Sequence, residues 1–582
     1  MKKTLFIITI VLSSQDHKFG KISKEELFEK YHPKDSSASA AVLYISENVS
    51  FFFTQSEGFK QQREVHKRIK IYNKDGYKWA TEKLHMYKGS SKNKEELTNI
   101  KGATYNLKDG KIEKDKLRKD GIFEEKQSEL TEISTITMPN IQDGSVIEYS
   151  YTIMSPFKKI DDLYFQSLIP INKLEISVAT PQFYRYDKLF NDKAIFLPEI
   201  VEGKTNKFYN GTSTSRSVRP GEDTTFKPIR IDYFENTLEI TGENIPAIKK
   251  EPFSGNLDNF ISKMSMELSA VLNIDEIVEQ TFSTSWEAVS KTIYDSSDFG
   301  GQLSKFNFYK DDLEALLVGV EDDFEKAFRV ENLVKSKVKW NGFYGKYAQK
   351  GIRSAYKNGE GNAADINLMM VSMLRSQGVN ANPIILSTRN NGIPLFPSLD
   401  GFNYVICSVQ KEGQFMLIDA TDRYSGNNVL PIRTLNWKGR LVENNGASRW
   451  INIQPSKKSV EATMLNVKIN NDFTITGKVA KNLTDYNAYF YRDKYVNLTQ
   501  EDHIKALEKD KGDIEISELN IENTKNITKP IKVSYEYELS DGIDEIGDKL
   551  YFSPLLFLAT KENPFKLEER QYPIDFVIPY TD

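Results

Sequence analysis

The sequence predicts a multidomain α+β chain, and three changes of pattern carry that reading. From about Lys60 to Glu243, apolar and polar residues alternate in short runs between Gly- and Asp-containing turns, as in a β-sandwich. From about Ser283 the apolar spacing lengthens to the helical period and then returns to strands. After Pro455 short strands resume. At 582 residues the chain has room for about three or four domains. Its 39% hydrophobic and 12% aromatic fractions are ordinary for a globular protein with a Tyr- and Phe-rich β component.

The N-terminus opens with Met1-Lys2-Lys3 and continues through Thr4-Leu5-Phe6-Ile7-Ile8-Thr9-Ile10-Val11-Leu12. A basic start and a short apolar run read as a signal peptide, too short for a spanning helix of ~20 residues. Residues 1–14 are read as this leader, with the mature chain starting near Gln15; the competing reading is a buried N-terminal strand. No Cys is placed for a lipid anchor, and no later segment reads as a membrane span.

Residues 15–59 form an N-terminal segment ahead of the β-sandwich at 60–243. Glu64 to Tyr72 and Tyr77 to Tyr87, around Asn73-Lys74-Asp75-Gly76, predict one hairpin. Thr104 to Leu107 and the residues from Lys111, around Lys108-Asp109-Gly110, predict another. Val146 to Thr152 alternates as a half-buried strand does. Bridging strands are expected at 244–282, including Ile261 to Val271, whose Met264 and Met266 read as core packing. In 283–454, helices are expected at Trp286 to Tyr294, Asp322 to Val338 and Ala363 to Ser376. Strands Pro383 to Ser387, Phe402 to Val409 and Gln414 to Asp419 follow. In 455–582 the strands are Ala462 to Ile469, Phe473 to Val479 and Ile531 to Leu539. The charged helix near Glu501 to Lys509 reads as a solvated face.

Composition narrows the chemistry. A net charge of −4 gives no nucleic-acid signature. The single Cys407 excludes an internal disulfide framework. The five His are His17, His32, His66, His85 and His503, so the central region holds neither a Cys–His or Ser–His pair nor a His-based metal site. No metal and no cofactor is expected.

The segment Asn358-Gly359-Glu360-Gly361-Asn362-Ala363-Ala364-Asp365 leads into Ile366-Asn367-Leu368-Met369-Met370-Val371. It is followed by Phe402-Asn403-Tyr404-Val405-Ile406 and Leu417-Ile418-Asp419-Ala420-Thr421. In that order these resemble the active-site segments of transglutaminase-like (papain-like) cysteine enzymes. The resemblance implies a Cys at the helix start, usually as Gly-x-Cys-x-Asp, then a His and an Asp on two strands. Here Ala363 stands at the Cys place and Tyr404 at the His place, while Asp419 is kept.

Three further segments resemble a bacterial domain of unknown function that precedes such cores in exported proteins. They are Met138-Pro139-Asn140-Ile141-Gln142-Asp143-Gly144, Phe165-Gln166-Ser167-Leu168-Ile169-Pro170, and Asn244-Ile245-Pro246-Ala247 with Glu251-Pro252. The resemblance covers nearly all of the chain after Lys60. It implies a transglutaminase-like core and a C-terminal β-sandwich, in which similar proteins carry more strands after the motif Gln571-Tyr572-Pro573-Ile574-Asp575-Phe576-Val577-Ile578-Pro579, so an incomplete sandwich is expected here. Export to the periplasm or cell envelope of a Gram-negative bacterium is expected with it.

The replacements matter because each role needs a particular group. A thiol at a helix N-terminus is favoured as thiolate, a His takes its proton, and an Asp orients the His. Ala363 offers no nucleophile, and a phenol of pKa ~10 is a poor base at neutral pH. Cys407 reads either as a relocated nucleophile or as a small buried hydrophobe. Strand parity sets it opposite Tyr404 and favours the second.

Three functions remain open. The first is a non-catalytic protein that binds a peptide, a glycan or an envelope protein in a cleft lined by Trp340, Asn362, Asp365, Asn403, Tyr404 and Asp419. The second is a hydrolase using Asp365 and Asp419 as a carboxylate pair. Against it, Asp365 reads equally as a helix cap, and Asp419 as a partner of Thr421. The third is a structural or interaction subunit of an envelope complex, using the faces and edges of its sandwiches. Ala363, Tyr404 and Asp419 are expected to converge, with Tyr404 and Asp419 on strands packed against the helix.

Overall fold

The computed structural model describes residues 17–581 apart from 90–92, 128–130, 216–224, 283–284, 427, 456, 560–561 and 567. The expected signal peptide lies outside the described residues. The chain forms two compact units. The first holds the described residues up to Lys250 together with Phe260–Phe282; the second holds Glu251–Asn259 and the described residues after Phe282.

The first unit is built from sheets. Eight strands form the main one, in the order Glu199–Ser215, Thr225–Ile245, Ile171–Pro181, Ala40–Thr54, Gly58–Ile71, Val146–Ser155, Glu96–Lys108 and Lys111–Lys116. Ala40–Thr54 and Ile171–Pro181 run parallel, and the other neighbours are antiparallel. Side chains alternate across a sheet, so Val49, Ile69, Tyr149 and Ile176 collect on one face. There they share a core with Leu84 and Ile136 of a three-stranded sheet and with Met264 and Met266 of another. Sheets stacked over one apolar layer make a sandwich. The other face is covered by the helix Lys24–Phe28, whose Leu27 packs with Leu43, Tyr105 and Val146. Beneath it the buried Arg68 reaches Glu26 at 2.8 Å and Glu148 at 2.7 Å.

Two expectations change here. Glu64 to Tyr87 is not a hairpin: Gly58–Ile71 pairs with Ala40–Thr54 and Val146–Ser155, whereas Thr81–Tyr87 pairs with Thr131–Thr137. Between them lies the 3-10 turn Lys74–Ala80, started by the Asn73 side chain accepting from the Asp75 N–H. Gly76 presses on the Ser39 carbonyl, where an added Cβ would stand at 2.2 Å. The turn thus carries the chain from one sheet to the next. Likewise Lys263–Leu272 does not bridge domains; it pairs with Tyr184–Phe190 inside the first unit. The hairpin at Lys108-Asp109-Gly110-Lys111 is present, with positive φ at Asp109 and Gly110 as a type I′ turn requires.

In the second unit the helix Ala363–Ser376 is the centre. All twelve residues from Ala363 to Leu374 are buried, so it is enclosed on every side. Gly300–Leu303, Asp323–Lys337 and Ile352–Asn358 pack around it. A five-stranded antiparallel sheet backs it, in the order Gln414–Ile418, Tyr404–Lys411, Ala381–Leu386, Lys438–Val442 and Ser448–Asn452. A second five-stranded sheet follows: Ile514–Glu522, Ile531–Leu539, Ile475–Leu483, Ser459–Ile469 and Tyr580–Thr581. Helices Asp485–Tyr495 and Gln500–Glu508 close one of its faces, placing Tyr491 and Leu507 against Val479 and Tyr535. Among the described residues no helix is long and apolar enough to cross a membrane.

Candidate functional site

The helix start is fixed by local chemistry. Gly359, at φ 73°, ends the preceding helix in the left-handed region. A Cβ on Gly361 would stand 2.7 Å from the Asp365 Cβ, so only glycine lets the chain pass this close to the helix. Asn362 is the N-cap: its side chain accepts from the Asp365 N–H at 2.8 Å, and the Asp365 carboxylate accepts from the Asn362 N–H at 3.1 Å. Ala363 is the first helical residue, wholly buried, and its N–H donates to the Phe343 carbonyl at 3.2 Å. The first position of the helix therefore presents a methyl group.

Asp365 faces away from any acid–base task. Its carboxylate also accepts from the Gly351 N–H at 2.9 Å and the Lys350 N–H at 3.3 Å. Burial pushes its carboxyl above the usual range, opposed by these backbone donors.

Tyr404 and Asp419 meet. Tyr404 begins its strand, and Asp419 follows the end of the neighbouring strand. The Tyr404 hydroxyl donates to Asp419 Oδ2 at 3.0 Å, and the Thr421 hydroxyl donates to Asp419 Oδ1 at 2.7 Å. Both hydroxyl oxygens then accept from Arg433: Nε to Tyr404 at 3.3 Å and Nη2 to Thr421 at 2.6 Å. Asp419 Oδ1 also accepts from the Thr421 N–H at 3.0 Å and from Asn367 Nδ2 at 2.9 Å. Asn367 lies one helical turn after Ala363; it also donates to the Val405 carbonyl and accepts from the Ala420 N–H, each at 2.9 Å. Burial, then the charge of Asp419, pushes the Tyr404 phenol well above its usual pKa. The Tyr404 phenol therefore keeps its proton near neutrality.

Ala363 and Tyr404 belong to one buried apolar cluster with Leu386, Leu430 and Leu435. The sheet face against the helix body is the other one, however: Val405, Cys407 and Val409 pack with Met370, Val371 and Leu374. The strand that carries Tyr404 thus packs against the helix as expected, but through its Val405–Cys407–Val409 face, while Tyr404 itself meets the apolar layer that also holds the helix start. Cys407 is wholly buried, and burial pushes its thiol up.

Asn362, Asp365, Tyr404 and Asp419 are all buried. Asn403 is half-buried and clamps its own loop, accepting from the Thr388 N–H at 2.8 Å and donating to its hydroxyl at 2.9 Å. Trp340, half-buried, donates to the Phe343 carbonyl at 2.9 Å, and the Arg433 guanidinium lies 4.4 Å from its ring centroid. A groove of about 480 Å³ lies instead on the C-terminal sheet, lined by Met464, Lys481, Asn482, Glu522 and Val533 among others. Sequence reasoning missed Asn367 and Arg433. A lone amide in the apolar run Ile366-Asn367-Leu368-Met369 is a readable signal, whereas Arg433 has none.

Residues 313–418 match the family model of the transglutaminase-like superfamily. No curated protein matches the chain. A solved structure described as a "putative protease" from Parabacteroides distasonis aligns with a TM-score of 0.47 and 11% identity, covering 89% of this chain and 95% of that one. Another, described as a "putative cysteine protease" from Cytophaga hutchinsonii, aligns with a TM-score of 0.17 and 12% identity, covering 50% of this chain and 88% of that one. The enclosed helix and three of the five strands of the sheet behind it fall within that matched stretch, so residues 313–418 of this chain form a transglutaminase-like domain.

Proposed function

We propose that this chain is a non-catalytic transglutaminase-like protein that acts by binding or scaffolding, exported to the periplasm or cell envelope of a Gram-negative bacterium. One observation carries the reading: the helix start presents the Ala363 methyl, and the Tyr404 phenol beside it is held protonated against Asp419. A methyl cannot attack a carbonyl, and a phenol with a raised pKa does not serve as a general base near neutrality. The carboxylate alternative fares worse, because Asp365 and Asp419 are both buried and bonded to N–H or O–H donors of the fold. Burial of Asn362, Asp365, Tyr404 and Asp419 supports a binding role at the outer surfaces, as in an interaction subunit of an envelope complex, over a receptor using the triad positions.

The test is hydrolysis of casein and amine crosslinking by the purified protein, before and after alkylation under denaturing and native conditions. No thiol-dependent turnover is expected. Turnover that disappears when Cys407 is alkylated would overturn the reading. Export is checked separately by N-terminal sequencing of envelope and cytosolic fractions, and an intact Met1 confined to the cytosol would refute it.

A further inference from the structure

Three of the five tryptophans meet on the second unit. Trp437 packs against Trp450 with ring centroids 4.8 Å apart, and Trp450 against Trp286 at 5.0 Å. Trp286 continues the ladder inward to the buried Phe402 at 5.4 Å. Beneath Trp450 lies the Arg440 guanidinium, 5.1 Å from the ring centroid and bonded to Glu287, Ser290 and Ser448. The inner rings are thus anchored in the core and by a fixed cation, while Trp437 at the outer end is 37% exposed.

Trp437 is also in an unfavourable backbone state. Its φ is 63°, in the left-handed region that glycine enters freely and a side chain with a Cβ does not. The chain is clamped on both sides. Asn436 Nδ2 donates to the carbonyls of Gly392 at 2.7 Å and of Ser387 and Thr388 at 3.2 Å, and Lys438 starts a strand paired with Asn452. Packing alone gives little reason to keep the largest side chain at an exposed, strained corner. Strain of this kind collects where a side chain is presented to a ligand.

We propose that the Trp437–Trp450 face is a glycan-binding platform, with a hexopyranose ring stacked on Trp437. An exposed flat ring suits a ligand with a flat apolar face, and the C–H face of a sugar supplies one. Its hydroxyls need polar partners at the rim. Lys438 and Asn452 stand opposite each other across the strand pair, both exposed, on the face that carries Trp450. Lys438 has no carboxylate partner among the described residues and its ammonium lies 5.8 Å from the Trp437 ring centroid, so it stands beside the stacked ring as a donor; Asn452 uses its oxygen on the Gln454 N–H, leaving its amide N–H groups as donors. A nucleic-acid base would stack as well, but the chain's net charge of −4 opposes a phosphate backbone.

The test is tryptophan-fluorescence titration of the full chain with cellohexaose, chitohexaose, maltohexaose and mannohexaose, and with the oligonucleotide dT12 as control. Saturable binding of at least one hexasaccharide is expected. Trp437→Gly weakens it by about tenfold. Circular dichroism of the variant matches that of the wild type, which separates lost binding from lost folding. Lys438→Met and Asn452→Ala each weaken binding by about threefold. The proposal is overturned if none of the four sugars binds, if Trp437→Gly binds as tightly as wild type, or if dT12 binds in place of the sugars. Thiol-dependent turnover would leave this platform standing, so the two readings fail separately.

Discussion

Tyr404→Phe tests what the replaced triad does now. The substitution keeps the ring and removes one oxygen. Asp419 Oδ2 then loses its hydrogen bond from Tyr404, while Oδ1 keeps Asn367 Nδ2 and both donors of Thr421. Arg433 stands 3.8 Å from Oδ2 and only partly replaces the lost donor. A hydrogen bond to a buried charged group is worth about 1.5–3 kcal/mol. Arg433 also loses an acceptor, but its side chain is 19% exposed and water can serve it. The expected loss is therefore about 2 kcal/mol. Four of the five tryptophans, Trp286, Trp340, Trp437 and Trp450, belong to the second unit, so tryptophan emission during urea unfolding follows the unit that holds the site. A double-mutant cycle with Arg433→Met should show a coupling of about 1 kcal/mol, since the two groups share a hydrogen bond. If Tyr404→Phe stays within about 0.5 kcal/mol of wild type, the network is not holding the site together and the reasoning fails.

Three further outcomes are expected. Asn367→Leu should cost about 3 kcal/mol in the same assay, because it leaves the Val405 carbonyl, the Ala420 N–H and Asp419 Oδ1 short of partners. Cys407 should resist Ellman's reagent in the native chain and react fully in denaturant, being wholly buried with its thiol pKa pushed up by burial. The first unit should lose stability on acidification. Burial holds His17 below 6.5; for Glu148 burial opposes, but bonds from His66, Arg68 and the Gly20 N–H hold its carboxyl below 4.5. Both folded values lie below the unfolded ones, so each contribution is present above the unfolded pKa and lost as pH falls through the folded value. Calorimetry should show the unit's transition falling as pH drops below 6.5 and further below 4.5, with Glu148→Gln flattening the lower limb.

What was legible in the sequence was local. Asn362 and Asp365 announce the capping box, and the apolar run after them announces a helix enclosed on all sides. Strand parity separates Cys407 from Tyr404, but parity cannot tell which face meets the helix, and here it is the Cys407 face. The segment Asn73-Lys74-Asp75-Gly76 has hairpin composition, yet it forms a 3-10 turn that moves the chain between sheets, because Gly76 docks on Ser39 rather than closing a strand pair. Arg433 was illegible for a related reason. Its partners Trp340, Tyr404 and Thr421 are gathered by tertiary structure from three separate stretches, and nothing in its own neighbourhood marks it.

The central claim is that no thiol chemistry takes place in this transglutaminase-like domain. The most direct measurement compares wild type with Cys407→Ser in casein hydrolysis and amine crosslinking, at matched concentration and confirmed folding. The account predicts no turnover above background in either. Activity in the wild type that vanishes in Cys407→Ser would contradict it.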